Sequence, residues 1–383
     1  MVPNGWEVKH LSELASKVSD GIHKTPLYAE SSGVYFINGN NLKNGSIVIQ
    51  DSTNFVDEND AENHRKDLGE RTILMSINGT IGNLAYYRGE NVVLGKSAAY
   101  INVKNSVDLD FVYYVLSSSK TQAFYESELT GTTIRNLSIK SIKNTKVDTP
   151  PLPEQKKIAQ ILSTWDRAIS TTEQLLANSQ QQKKALMQQL LTGKKRLLDS
   201  NGVKFQGEWH RTELGELLDY KQPTPYLVES TEYRDEYKTP VLTAGKTFIL
   251  GYTDETSGIY QEKLPVIIFD DFTTDSKFVD FPFKAKSSAM KILVAKKGVS
   301  IKYVFEAMQM LNFAVGGHQR HWISIFSNLV IPVPSKEEQE RIASVLSAAD
   351  QEIQTLQSQL DALKQEKKAL MQQLLTGKRR VQP

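Results

Sequence analysis

KKALMQQLLTGK occupies Lys183–Lys194 and recurs, letter for letter, at Lys367–Lys378. The offset is 184 residues (Lys183 to Lys367), close to half of the 383-residue chain. It holds upstream without a gap. Gln155, Ile158, Ala159, Leu162, Ser163, Asp166 and Ile169 map onto Gln339, Ile342, Ala343, Leu346, Ser347, Asp350 and Ile353. Chance does not give this agreement. The chain is two diverged copies of one unit, each ending in the same helix. Such a chain can present two similar surfaces to a partner that itself has two-fold symmetry, and duplex DNA is the commonest partner of that kind.

The repeated stretches read as long helices. In the second copy Ile342, Leu346, Ala349, Ile353, Leu356, Leu360, Leu363, Leu370 and Leu374 recur at alternating steps of 4 and 3, with one polar slot at Lys367. This is a heptad seam, the pattern of a coiled coil rather than of a globular helix. The first copy follows with Ile158, Leu162, Trp165, Ile169, Leu176, Leu186 and Leu190, and has polar slots at Thr172, Ser179 and Lys183. Lys183 and Lys367 take the same core-type position, where a polar residue costs stability and fixes register. Pro151-Leu152-Pro153 and Pro332-Val333-Pro334 are expected to block helix before each start. Gly193 and Gly377 stand where left-handed C-caps would go. Each helix is then about 40 residues, or roughly 60 Å. Neither can leave its apolar seam in water, so the two are expected to pack on each other. The bland alternative is a homo-oligomeric coiled coil.

The stretches before each helix differ in kind. They are rich in Gly, Asn, Thr and Tyr, with short apolar runs at Val34–Ile37, Thr72–Ile77, Ala98–Val103, Pro265–Phe269 and Met290–Ala295. These predict short strands between turns, with helices near Leu109–Ser118 and Ile301–Leu311, and so two mixed α/β (α+β) heads. The heads match at their frames. Trp6, Leu11, Glu13 and Leu14 correspond to Trp209, Leu214, Glu216 and Leu217, and Gly131–Ser138 faces Gly316–Ser324. The middles hardly align, which suggests one fold selected to read two different things. The segments are residues 1–150, 151–196, 197–334 and 335–383: head, helical spacer, head, helical spacer.

Bulk composition narrows the class. No apolar run approaches the roughly 20 residues that cross a bilayer. The start, MVPNGWEVKH, lacks a basic region followed by an apolar one, so no secretory signal is expected. The absence of cysteine removes disulfides and thiolate chemistry and fits a reducing cytoplasm. With 46 basic and 44 acidic residues the net charge is +2, so any nucleic-acid contact must rest on local patches.

At this point the chain resembles the specificity subunits of type I restriction–modification systems. The likeness is carried by Gly5-Trp6-Glu7 and Gly207-Glu208-Trp209, each followed by Leu-x-Glu-Leu, and by the Asp20-Gly21-Ile22-His23 turn. To these are added Pro151–Ala159 (PLPEQKKIA), its second-half counterpart and the LLTGK helix ends. It spans the whole chain. It implies two target recognition domains, each reading one half of a split sequence in double-stranded DNA. It implies two helices paired antiparallel as spacer and ruler, two docked methyltransferase (modification) subunits, and restriction subunits that can join them. It implies no catalysis by the chain itself, and the residues predict no cofactor and no metal. Antiparallel pairing of equal helices would hold the heads tens of ångströms apart, comparable with the roughly 34–36 Å of one DNA turn. One departure is three extra residues between Pro334 and Gln339, which would blur the symmetry of the second helix start.

Enzyme readings fail on the letters. Gly95-Lys96-Ser97 and Gly245-Lys246-Thr247 resemble the end of a phosphate-binding loop, but Glu90 and Pro240 stand where its first glycine is required. No N/D-P-P-Y/F tetrapeptide is present. Glu366-Lys367-Lys368 reads as helix rather than nuclease motif. His318 and His321 lack a third ligand, and Asp270, Asp271 and Asp275 read as a turn after a buried strand. For DNA, Arg and Lys suit guanine, Asn and Gln suit adenine, and Lys, Ser and Thr hold phosphates. The first head offers His23, Lys24, Asn38, Asn40, Asn41, Lys43, Asn78, Thr80, Lys96, Ser97, Thr132, Thr133, Arg135 and Asn136. The second offers Lys246, Thr247, Lys284, Lys286, Ser287, Ser288, His318, Gln319, Arg320 and His321. The rival from another class is a coiled-coil scaffold whose heads bind protein or glycan.

Overall fold

The two heads share the strand order of their main sheets, although the sequences of their middles hardly align and the second sheet has four strands in one head and three in the other. The computed structural model describes residues 2–131, 135–243, 247–311 and 321–382. The chain divides into two units, Met1–Thr172 with Gln359–Pro383, and Glu173–Ser358. Each unit therefore takes one head together with parts of both helical segments.

In unit 1, β1 (Glu7–His10), β2 (Ala15–Asp20), β3 (Tyr28–Ala29), β4 (Tyr35–Ile37) and β5 (Phe55–Val56) are followed by β6 (Thr72–Ser76), β7 (Leu84–Tyr86), β8 (Val92–Leu94) and β9 (Ala98–Val103). Helix α1 (Leu109–Ser117), β10 (Lys146–Thr149) and the long helix α2 (Leu152–Leu190) come next. The main sheet runs β2-β9-β6-β7 and is antiparallel. A second sheet runs β8-β4-β5-β3, with β8 and β4 parallel. β1 and β10 pair separately, Glu7 opposite Thr149. Every residue of β6 is buried, and alternation explains why. Ile73 and Met75 face a core with Phe111, Val112 and Val115 of α1, while Leu74 faces Ile37, Val92 and Leu94 under the second sheet. A continuous apolar run is what a strand covered on both faces requires.

Unit 2 repeats this with β11 (His210–Glu213), β12 (Leu218–Lys221), β13 (Thr239–Leu242), β14 (Ile249–Thr253), β15 (Val266–Asp270), β16 (Ser276–Val279), β17 (Lys284–Ala285) and β18 (Met290–Ala295). Helix α3 (Ile301–Gln309), β19 (Val330–Val333) and the long helix α4 (Lys336–Leu374) complete it. Its main sheet runs β12-β18-β15-β16, its second β14-β13-β17 with β13 and β17 parallel, and β11 pairs with β19. Ile267 and Phe269 face one core, Val266 and Ile268 the other.

The long helices are 39 residues each, and their first residues, Leu152 and Lys336, differ by the repeat offset. Two expectations are corrected here. Pro153 does not block the first helix but lies in its first turn, where its missing N–H has no partner to lose. The three extra residues at the second start also disappear, because the true counterparts are Pro150 and Pro334. Gln155 Nε2 donates to Pro150 O at 2.8 Å and Gln339 Nε2 to Pro334 O at 2.9 Å. Each glutamine also accepts from the backbone N–H that precedes the head helix, Asp108 or Ser300, at 2.9 Å. Gly193 and Gly377 follow the helices at φ of 71° and 67°, a left-handed conformation that glycine adopts without strain.

Within unit 1 the start of α2 packs on the end of α4, with Ile158, Ala159 and Leu162 against Leu374 and Leu375. Within unit 2 the end of α2 packs on the start of α4, with Leu190 and Leu191 against Ile342, Ala343 and Leu346. Both pairings are antiparallel. Among the described residues no helix is long and apolar enough to cross a membrane.

Candidate nucleic-acid interface

Four loops of unit 1 open on one edge of its sheets, because the strands that feed them end or begin there. Gly21–Lys24 follows β2, Asn38–Asn41 follows β4, 77–83 follows β6, and Gly95–Ser97 joins β8 to β9; Asn136 closes the set. Ile22 N donates to Leu94 O at 2.7 Å. Ser97 ties three loops together: its Oγ donates to Asn38 Oδ1 (2.8 Å) and accepts from Gly39 N (2.9 Å), and its O accepts from Ile77 N (2.9 Å). Thr80 Oγ1 donates to Gly39 O at 3.5 Å, and Asn78 and Asn136 form a β-bridge. The approach is close. A Cβ on Gly95 would lie 2.3 Å from Asn38 Oδ1.

The nominated residues thus sort themselves. His23, Lys24, Asn40, Thr80 and Lys96 are exposed on this edge, and Asn38, Asn78, Ser97 and Asn136 are half-buried beneath them. His23 Nε2 lies 2.9 Å from Asp20 Oδ2. Arg135 is exposed but pairs with Glu126 at 2.7 Å. Lys43 is exposed on a separate two-residue hairpin, Leu42–Lys43 with Ser46–Ile47. Asn41 is corrected to a structural residue. It is buried, accepts from Asn38 N (3.0 Å) and donates to Val48 O (3.0 Å), which leaves its amide nothing to offer a base. Thr132 and Thr133 lie outside the described residues.

In unit 2, Thr247, Lys286 and Ser288 are exposed, with the Lys286 ammonium 5.7 Å from the centre of the Tyr233 ring. Ser287 Oγ accepts from Ala289 N at 3.1 Å. Lys284 is corrected. It is 2% exposed, pairs with Glu255 at 2.6 Å and donates to Ser257 O at 2.7 Å. Burial alone would raise the Glu255 carboxyl, but hydrogen bonds from Lys284 and from the Ser230 and Glu229 N–H groups hold it below its ordinary value. Buried and bonded to both partners, Lys284 is committed to the fold. Lys246, His318, Gln319 and Arg320 lie outside the described residues, as does the His321 side chain. The acidic turn is spent internally. Asp270 accepts from Phe272 N and Thr273 Oγ1, both at 2.9 Å, and Asp271 pairs with Lys291 at 3.2 Å. Among the described residues no group of three His, Asp or Glu could hold a metal.

The helix seam is covered: none of the nominated residues is exposed, and Ile158, Leu162, Leu176, Leu190, Ile342, Leu346, Leu360 and Leu374 are buried. Trp165, Ile169, Leu186, Ala349, Ile353, Leu356, Leu363 and Leu370 are half-buried, as are the two lysines. Lys183 Nζ lies 2.5 Å from Asp350 and 3.1 Å from Glu306, and Lys302 bonds the same two acids at 2.9 and 2.8 Å. Lys367 meets Asp166, the counterpart of Asp350, and Tyr114 Oη donates to that acid at 2.7 Å.

Reading the sequence missed a clasp that occurs once in each unit. Arg380 bonds Glu154 through Nε and Nη2 (2.7 and 2.9 Å), Trp6 Nε1 donates to the same carboxylate (3.1 Å), and the guanidinium lies 5.6 Å from the indole centre. Arg196 bonds Glu338 at 2.6 and 2.7 Å, Trp209 Nε1 donates at 3.2 Å, and the stacking distance is 5.5 Å. The signal was present. Glu154 and Glu338, like Arg196 and Arg380, stand at the repeat offset of 184.

Comparison with known proteins gives one consistent answer. The family model for the type I restriction modification DNA specificity domain matches residues 3–178 and again 206–365. The chain is 53% identical to the Escherichia coli EcoR124I/EcoR124II specificity subunit over 145 residues, covering 37% of this chain and 35% of that protein. It is 23% identical to the MjaVIII specificity subunit of Methanocaldococcus jannaschii, covering 99% and 94% of the two chains. The crystal structure of a type I restriction–modification S subunit from M. genitalium superposes with a TM-score of 0.67 at 19% identity, covering 98% of both chains.

Proposed function

Because this chain belongs to the type I restriction–modification DNA specificity family, we propose that each head reads one half of a split duplex DNA target. The chemistry of modification falls to partner methyltransferase subunits that dock on the assembly. In this reading the chain contributes recognition and spacing and no catalytic step. The observation that carries it is the loop edge of unit 1. Loops far apart in sequence are fixed to one another by backbone and side-chain hydrogen bonds, yet leave Lys24, Asn40, Thr80 and Lys96 facing water. Such a rim supplies amide groups for base edges and ammonium groups for phosphates on a mount that need not be ordered on binding. The two heads share a strand order and differ in what their loops carry, as two readers of different half-sites should. The helices supply the spacing. At about 1.5 Å per residue a 39-residue helix is about 58 Å long, longer than one DNA turn of about 34–36 Å.

Exchange of the first head tests this. Residues 11–145 are replaced by those of another such subunit, with the β1–β10 pair, Trp6 and both helices retained. Modified sites are then mapped in host DNA. One half of the recognised sequence is expected to change, with the other half and the gap unaltered. A change in both halves would show that the heads do not read independently.

A further inference from the structure

The hairpin tips of the two main sheets take equivalent places and carry opposite chemistry. The last strand pairing is Ser76 with Ala98 in unit 1 and Asp270 with Met290 in unit 2. One residue on, the backbone N–H donates across to the neighbouring loop in both, from Ile77 to Ser97 O at 2.9 Å and from Asp271 to Ala289 O at 3.3 Å. Counted from this common register, Phe272 stands where Asn78 stands. Asn78 belongs to the loop edge described above. Phe272 is an aromatic residue 54% exposed in a turn otherwise made of Asp and Thr.

The turn holds the ring out rather than letting it fold back. Asp270 fixes both sides of it, accepting from Phe272 N on one carboxylate oxygen and from Thr273 Oγ1 on the other, each at 2.9 Å. Thr274 N closes the turn on Asp270 O at 3.0 Å. The two acids before Phe272 face inward, with Asp270 6% and Asp271 2% exposed. Asp271 is neutralised by Lys291 at 3.2 Å and capped by Trp322 N at 2.9 Å. The tip therefore offers a phenyl ring, while the adjoining loop carries the exposed Lys286 and Ser288. One exposed apolar residue is ordinary on any protein surface. This one is informative because it sits on a rigid turn, at the register position where the other head places an amide, and packs in none of the core clusters.

We infer that Phe272 is a specificity-determining residue of the second head, which meets a base of its half-site through apolar contact at the register position where the first head carries the half-buried Asn78. This rests on the reading of the heads as DNA-recognition domains. An aromatic ring can lie on a base face or wedge a base step, and either contact discriminates by stacking and deformability rather than by hydrogen-bond pattern. It carries no charge, so it adds nothing to the salt-dependent part of binding.

The test uses the chain assembled with its modification subunits and the duplex that the wild-type assembly modifies. Phe272→Ala is expected to weaken binding to that duplex about ten-fold, the scale of one lost base–aromatic contact. Binding to random DNA and the slope of affinity against salt should stay unchanged, and the thermal midpoint should hold. Phe272→Tyr keeps the ring and is expected to bind as wild type does. Site mapping with Phe272→Ala should show relaxed choice at one position, in the second half-site only. Unchanged cognate binding by Phe272→Ala, or an equal loss on cognate and random DNA, would overturn the inference and leave the wider reading intact. A wild-type assembly that fails to discriminate its own sites would take both down.

Discussion

Units 1 and 2 agree where helix meets head and differ where the head meets solvent. The Glu–Arg–Trp clasp, the glutamine that reaches a prolyl carbonyl and the two-strand pair beside it recur in both, and the side-chain hydrogen bonds match to within 0.2 Å. The loop edges share a register and little else. An intermediate case lies between them. Lys183 and Lys367 belong to identical helix segments and bind equivalent aspartates. Yet the head of unit 1 supplies a phenol to that site, while the head of unit 2 supplies a second lysine and a fully buried glutamate. The helices are thus the constant part, and each head solves the same docking problem with its own chemistry.

The largest effect should come from the part that is constant. Leu162 and Leu346 occupy the same repeat position and are 0% exposed in their units. Losing a buried leucine side chain costs about 2–5 kcal/mol, and a buried unpaired carboxylate adds to that. Leu162→Asp and Leu346→Asp are each expected to lower denaturant stability by more than the leucine loss alone and to abolish assembly with partner subunits. If one were severe and the other silent, the two helix–head junctions would not be equivalent.

The lysines should separate the units. Lys183→Met leaves Glu306, which is 0% exposed, and Asp350 with Lys302 alone. Breaking a buried pair costs about 3–5 kcal/mol, and the remaining lysine puts the expected loss near the lower end. Lys367→Met leaves Asp166, 41% exposed, with its hydrogen bond from Tyr114. That loss should be about 1 kcal/mol or less, as for solvent-screened pairs. Equal losses in chemical denaturation would mean that the heads contribute nothing to this site.

The repeat made the helices legible, since a heptad seam and an offset of 184 constrain every position between Leu152 and Leu190. The apolar runs of β6, β9, β15 and β18 were legible too, because strands covered on both faces are mostly apolar, with Lys291 of β18 buried only in its pair with Asp271. What was not legible was which polar residues the fold consumes. Asn41 and Lys284 carry the same letters as Asn40 and Lys286, and only the third dimension shows that the first of each pair is buried among its own partners. Phe272 has no hydrogen-bonding group, so donor and acceptor chemistry does not single it out in the sequence. The clasp was missed because its arginines lie beyond the helix ends, where periodicity no longer speaks.

The smallest expected difference concerns acid. Burial alone would raise the Glu154 carboxyl, but the hydrogen bonds from Arg380 and Trp6, with the arginine charge, outweigh it and hold the group below its ordinary 4.5. A carboxyl held low in the folded state binds fewer protons there than in the unfolded chain. Its contribution is complete above about pH 4.5 and is lost as pH falls through the folded value. Glu154→Gln cannot titrate, so its stability should fall less steeply than that of wild type as pH drops below 4.5. The gap should narrow in high salt, because the Arg380 side chain is 45% exposed and its attraction is open to screening, whereas that of Arg196 is 18% exposed. Denaturant midpoints measured across that pH range, at low and high salt, decide it. Parallel curves for wild type and Glu154→Gln would show that the unit 1 clasp gains nothing from the carboxylate charge.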